Sequence, residues 1–220
     1  MIVAIDGPAG VGKSTIAKKI AKKCNFFYIN SGNFYRAVAF KHLAYNGDPK
    51  SEAEIVETAR SCNFLIIEGK LFLDGKMVEH LLRNKEIDMA SSKFSSIVEV
   101  RNIVNEALRS SAKSLDIIME GRDITTVVFP QADLKFYFDA SVDIRAARRF
   151  QQNESDLSLQ DLKEEIIKRD YNDRNKKFGA LKRANDAVYI DTSYLTIDEV
   201  CDKVVQNILG LKQSKVSGES

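Results

Sequence analysis

The chain opens on an unbroken apolar run, Ile2-Val3-Ala4-Ile5, bounded by Asp6 and a Gly-rich stretch. A short continuous run of this kind predicts a strand buried on both faces, as in a parallel sheet. The period then changes. Ile16, Ala17, Ile20, Ala21 and Cys24 share one face of a helix, with Lys18, Lys19, Lys22 and Lys23 outside. Phe26 to Ile29 reads as a second strand and Asn33 to Tyr45 as a second helix. Further strands are predicted at Ile117 to Met119, Leu134 to Phe138 and Val188 to Ile190. Ile97, Val100, Val104 and Leu108 mark one face of a helix over Ile97 to Ser110. A different pattern interrupts this alternation. Phe64 to Ile67 and Leu71 to Leu73 are short strands joined at Glu68-Gly69-Lys70, and Asp74-Gly75 marks another tight turn.

The predicted architecture is an α/β domain with a five-stranded parallel sheet flanked by helices, a small antiparallel insert and a helical lid. The expected division is one domain over 1–220. Its core spans 1–32, 93–140 and 180–211. The insert-bearing region spans 33–92, the lid 141–179, and a polar tail from Lys212 to Ser220 is expected to fray.

Composition narrows the class. The 220 residues are 44% hydrophobic and 29% charged, which is ordinary globular material. A formal net charge of +2 argues against a nucleic-acid coat or a membrane surface as partner. No apolar run approaches the roughly 18 residues of a membrane span, and no signal-peptide pattern precedes Ile2, so a cytoplasmic protein is expected. Cys24, Cys62 and Cys201 are scattered, which disfavours zinc and favours a reducing compartment.

The strongest chemical signal is Gly7-Pro8-Ala9-Gly10-Val11-Gly12-Lys13-Ser14-Thr15, which fits G-x-x-x-x-G-K-[ST]. Glycines let backbone amides approach phosphate oxygens, and the following helix start offers free N–H groups and a favourable dipole. In this reading Lys13 reaches the β- and γ-phosphates of a triphosphate and the Ser14 hydroxyl ligates Mg²⁺. The preceding strand and following helix supply the context such a loop needs. No guanine-reading N-K-x-D lies in a suitable loop, which points to a small-substrate kinase over a switch GTPase.

Arginines cluster where such a kinase requires positive charge. Arg36 follows the second strand, and Gly121-Arg122-Asp123 follows the third. Arg145, Arg148 and Arg149 crowd one helical stretch beyond the fourth, where an anion would relieve their repulsion. A further helix carries Leu159, Leu162 and Ile166 on a stripe that continues as Arg169, Asp173 and Lys176. Each group also has a structural reading, as salt bridges or solvated basic faces.

These motifs together resemble bacterial cytidylate kinases over nearly the whole chain. The resemblance rests on Ile5 to Gly10 with the phosphate loop, Asn30-Ser31-Gly32 with Tyr35-Arg36, and Glu120-Gly121-Arg122-Asp123-Ile124 running to Thr126-Val127-Val128-Phe129-Pro130. Ala140-Ser141 with Arg145-Ala146 and Arg148-Arg149 also fits, as does Arg169-Asp170 with Asp173-Arg174-Asn175.

The resemblance implies transfer of a phosphoryl group from ATP to CMP or dCMP, with Mg²⁺. It implies that Ser31, Ser92, Arg101 and Asp123 line the acceptor pocket, with Arg101 and Asp123 reading the cytosine edge. Arg36, Arg122 and Lys176 would hold the acceptor phosphate, and Arg169 and Asp173 the ribose. Arg145, Arg148 and Arg149 would serve the ATP side from the lid. Asp6, Glu120 and Asp123 are the candidate acids beside the metal. Two departures stand out. Lys176 occupies a position generally Arg in the family, and a lysine cannot grip phosphate bidentately. Thr125 occupies a position generally Gly, and a β-branched residue tolerates positive φ poorly. Alternatives are a kinase for UMP, AMP or shikimate, or a non-catalytic nucleotide switch. No unexplained apolar stripe asks for a partner, so a monomer is expected.

Overall fold

The computed structural model describes residues 1–152 and 157–217. The chain forms two compact units, one of residues 1–28 with 116–220 and the other of residues 29–115.

The first unit is organised by a five-stranded sheet in the order β2-β6-β1-β7-β8. β1 is Ile2–Asp6, β2 Phe27–Asn30, β6 Ile117–Gly121, β7 Leu134–Asp139 and β8 Val188–Asp191. β1 runs parallel to β6 on one side and β7 on the other, and β8 extends β7 in parallel. The central strands β1 and β6 begin with apolar runs because both their faces are covered; Val3, Ala4, Ile5, Ile117, Ile118 and Met119 are all fully buried.

Helix α1 (Lys13–Cys24) lays its apolar stripe on this sheet. Ile16, Ala17, Ile20 and Ala21 join Val3, Ile5, Ile118, Phe136 and Phe138 in one core, completed by Val200, Cys201, Val204 and Ile208. Those last four come from α8 (Ile197–Ser217). The helix continues to Ser217, beyond Lys212 where fraying was expected. At Lys212 the ammonium lies over the Phe26 ring, 4.8 Å from its centroid, a contact that steadies this turn. Residues 218–220 of the expected tail fall outside the described chain. α1 stops at Asn25, whose left-handed conformation closes the last turn on the Ala21 carbonyl. Helices α6 (Val142–Gln151) and α7 (Leu159–Arg174) pack on each other through Ala146, Leu162 and Ile166. A capping box between Ser158 and Asp161 starts α7. The expected lid, 141–179, contains residues 153–156, which lie outside the described chain.

The second unit holds α2 (Ser31–Ala44), α3 (Glu52–Arg60), α4 (Lys85–Phe94) and α5 (Val98–Ser111) around a three-stranded antiparallel sheet. Its strands are β3 (Phe64–Ile67), β4 (Lys70–Leu73) and β5 (Lys76–Met77). Both hairpin turns take two residues with positive φ, Glu68-Gly69 and Asp74-Gly75, the geometry that matches strand twist. α5 packs on α2, α3 and β3, so residues 93–115 belong with this unit and not with the sheet of the first.

Candidate functional site

The phosphate loop leaves the carboxyl end of β1. Gly7 takes φ 154°, and a Cβ there would sit 2.1 Å from the Phe138 carbonyl oxygen, so no side chain fits. α1 begins at Lys13 with neither a side-chain cap nor an acid in its first turn. Its first N–H groups have no intrahelical acceptors, and the helix dipole adds positive potential at the same place.

Lys13 is buried, and its Nζ donates to the carbonyls of Gly7 at 2.8 Å and Pro8 at 2.6 Å. Burial, with the nearby Arg122 charge second, pushes its pKa down to about 7. The Ser14 hydroxyl donates to Glu120 Oε1. The Tyr28 hydroxyl donates to the same oxygen at 2.8 Å. Ser14 and Glu120 thus present hard oxygen donors side by side, the chemistry Mg²⁺ selects.

Asp6 has another role. Its Oδ1 accepts from the Ile124 amide at 2.9 Å, and its Oδ2 accepts from the Thr125 amide and hydroxyl at 2.7 and 2.6 Å. Burial raises its pKa to about 6 despite these bonds. Ile124–Val128 forms a wide helical turn, closed by Val128 N–H to the Asp123 carbonyl and Phe129 N–H to the Ile124 carbonyl. Thr125 is not among the described residues with positive φ, so its backbone is conventional. The β-branched side chain is therefore unstrained.

Arg122 donates through Nε to Asp173 Oδ2 at 2.8 Å, and Lys176 approaches Asp173 Oδ1 at 3.1 Å. Burial alone would raise the Asp173 pKa; Arg122 and Lys176 overcome it and hold the carboxyl at about 2. A depressed carboxyl contributes stability that is present above its unfolded value and lost as pH falls through its folded value. The window here runs from 3.8 down to about 2. The shift corresponds to about 2 kcal/mol. Asp173→Asn should flatten that part of the acid limb, read as urea midpoints between pH 2 and 5. An unchanged slope would remove Asp173 from the linkage.

The crowded arginines of α6 each have partners of their own. Arg145 is buried and donates to Asp170 Oδ2 at 2.6 Å, the Ala140 carbonyl at 3.0 Å and the Ala9 carbonyl at 3.1 Å. Arg148 donates to the Thr192 carbonyl and, at 3.2 Å, to its hydroxyl. Arg149 pairs with Glu165 at 3.6 Å. Protein groups therefore relieve the repulsion expected among them, and Arg145 braces the phosphate loop from beneath. On α7, Asp170 and Asp173 are buried while Arg169 is exposed. Asp123 is buried beside the turn it opens.

In the second unit Ser31 opens α2, and Arg36 donates to Asp88 Oδ1 at 2.7 Å. A Cβ at Gly32 would lie 2.8 Å from Arg36 Nη1, so that arginine position depends on glycine. Arg101 is buried, donates to the Ser95 carbonyl at 3.0 Å and lies over the Tyr35 ring at 5.4 Å. Ser92, on α4, is exposed. Sequence reasoning missed Asp88, Asp170 and the Thr125 hydroxyl as partners of these groups. A carboxylate four residues after Ile166 was the available signal for Asp170. No helix among the described residues is long and apolar enough to cross a membrane.

Comparison with known proteins covers nearly the whole chain. A family model described as cytidylate kinase matches residues 3–209. The cytidylate kinase of Borrelia hermsii is 44% identical over 211 residues, 94% of this chain and 97% of that protein. That of Alkaliphilus oremlandii is 42% identical over 95% of this chain and 98% of that protein. The crystal structure of a shikimate kinase from Bacteroides thetaiotaomicron shares the fold, with TM-score 0.50, 11% identity, and coverage of 96% of this chain and 98% of the other.

Proposed function

This chain belongs to the cytidylate kinase family, and from that premise we propose that it moves the γ-phosphoryl group of ATP to CMP or dCMP, leaving ADP and CDP or dCDP. The observation that carries the reading is the phosphate loop with Lys13 buried at its floor and Ser14 against Glu120. Transfer between two anions asks the protein for position and charge, not for a covalent intermediate. The acceptor oxygen is already anionic, so no general base is needed.

The loop amides and Lys13 hold the triphosphate, with Arg145 fixing the loop through Ala9. Ser14 and Glu120 are the residues that would hold Mg²⁺, which when bound neutralises phosphate charge. Asp6 spends both carboxylate oxygens on Ile124 and Thr125, so it is a structural tie and leaves the metal to Glu120. Arg36, Arg122 and Lys176 take the acceptor phosphate, Arg169 and Asp173 the ribose, and Ser31, Ser92, Arg101 and Asp123 the base side. A carboxylate matches the cytosine amino group and a guanidinium matches its ring acceptors; leaving either unpaired costs about 1–3 kcal/mol. Arg148 and Arg149 serve the donor side. The working unit is a single chain acting in the cytoplasm.

The test uses ATP labelled at the γ-phosphate with excess CMP. Label recovered in CDP supports the reading. Label released only as inorganic phosphate, in protein that binds ATP, supports a hydrolysing switch instead.

A further inference from the structure

We propose that Thr125 is a positioning residue for phosphoryl transfer: its hydroxyl, clamped on Asp6, fixes the segment bearing Arg122 and Asp123 to the end of β1 from which the phosphate loop departs. The proposal rests on the kinase reading above.

The geometry is specific. A helical turn leaves its first N–H groups without internal acceptors. Here those are the amides of Ile124 and Thr125, and a carboxylate from a neighbouring strand caps both. Asp6 stands beside Gly121 in the register of β1 and β6, so the cap joins adjacent strand ends. One residue after Asp6 is Gly7, whose carbonyl receives Lys13 Nζ at 2.8 Å. One residue after Gly121 is Arg122, whose far end is held by Asp173 at 2.8 Å. The clamp therefore sets the spacing between Lys13 and Arg122, the cations given to the donor and acceptor phosphates between which the group passes. Their charges already interact, since Arg122 contributes to the low pKa of Lys13 after burial.

Any residue at 125 except proline brings its amide N–H. The hydroxyl is what this side chain adds, at 2.6 Å from Asp6 Oδ2 and with Thr125 itself 1% exposed. A charge-assisted bond in a buried site is short and directional, and it resists the small shifts that degrade alignment. A displacement of the order of 1 Å at such a site lowers turnover by up to about a hundredfold. Binding of either nucleotide draws on many other contacts, so the loss should fall on kcat and not on KM.

The experiment compares full-length wild type, Thr125→Val and Thr125→Ser by steady-state kinetics with MgATP and CMP, with melting temperatures for each. Thr125→Val should lose about tenfold or more in kcat, with both KM values within about twofold. Thr125→Ser should restore kcat to within about twofold of wild type. Should the valine variant fail to fold, Thr125→Ala keeps the amide, removes the hydroxyl and carries the same expectation. Wild-type kcat in the variants lacking the hydroxyl, with only a lower melting temperature, would make Thr125 a fold element and overturn the proposal. A serine variant as slow as valine would do the same, by assigning the effect to shape. A wild type inactive on CMP would overturn the kinase reading and this proposal with it, which separates the two failures.

Discussion

Lys13→Met should reduce kcat/KM for MgATP by on the order of 10²–10³ while leaving the fold intact. The lysine is 5% exposed, and its ammonium rests on the Gly7 and Pro8 carbonyls. Methionine fills the same channel with an uncharged chain of similar length. What disappears is a cation held where charge develops on the transferring phosphoryl group, inside a site that water screens poorly. Burial works against the charged form, which is why its pKa lies near 7 and not at 10.5. Burial already opposes the lysine charge, so the uncharged side chain should leave the melting temperature unchanged or higher. Steady-state rates and thermal melts on the same preparation check both halves. Normal turnover in this variant would show that the loop does not carry the chemistry.

The second large effect concerns Arg145. Its pair with Asp170 is buried, with side-chain exposures of 3% and 11%. Among the described residues Asp170 Oδ1 has no hydrogen-bond partner, so the carboxylate leans on Arg145 through Oδ2. Arg145→Met strands that charge and should cost about 3–5 kcal/mol of stability. The double variant Arg145→Met/Asp170→Leu removes both charges and should recover most of that loss. It should not recover ATP affinity, because the donor to the Ala9 carbonyl at 3.1 Å is gone. Denaturant midpoints and KM for ATP separate the two contributions. A double variant with wild-type KM would assign Arg145 to folding only. Arg145 would then differ from Arg148 and Arg149, which lie on the same helix with other partners.

The five strands of the main sheet were legible because each is built on a short apolar run, and observed boundaries fall within two residues of the expected ones. The phosphate loop was legible because its residue types and spacing are dictated by phosphate binding. The insert was legible from Glu68-Gly69 and Asp74-Gly75, two turn signals that only make sense between antiparallel strands. α3 and α4 were not read. α3 buries only Ile55 and Ala59, and α4 buries Ile87, Ser91 and Phe94, stripes too thin to stand out from the polar background.

Within the site the missing information was long-range. Thr125 meets Asp6 across 119 positions, and Ser14 meets Glu120 across 106. Nothing in local periodicity pairs them. On α7 the stripe Leu162 and Ile166 was continued through Arg169, whereas the chain buries Asp170. A 3.6-residue period permits a step of three or four, and the core takes the carboxylate because Arg145 waits there to neutralise it. The concern over Thr125 came from the same gap. A side chain that looked like a steric burden is a donor to a buried carboxylate.

This chain should phosphorylate a cytidine monophosphate. The most direct measurement is ADP formation from MgATP with CMP, dCMP, UMP, AMP and shikimate offered separately to the same enzyme. CMP and dCMP should show high kcat/KM, with the other acceptors lower by about tenfold or more. Faster turnover of UMP, AMP or shikimate would contradict the roles given to Arg101 and Asp123, and with them the account.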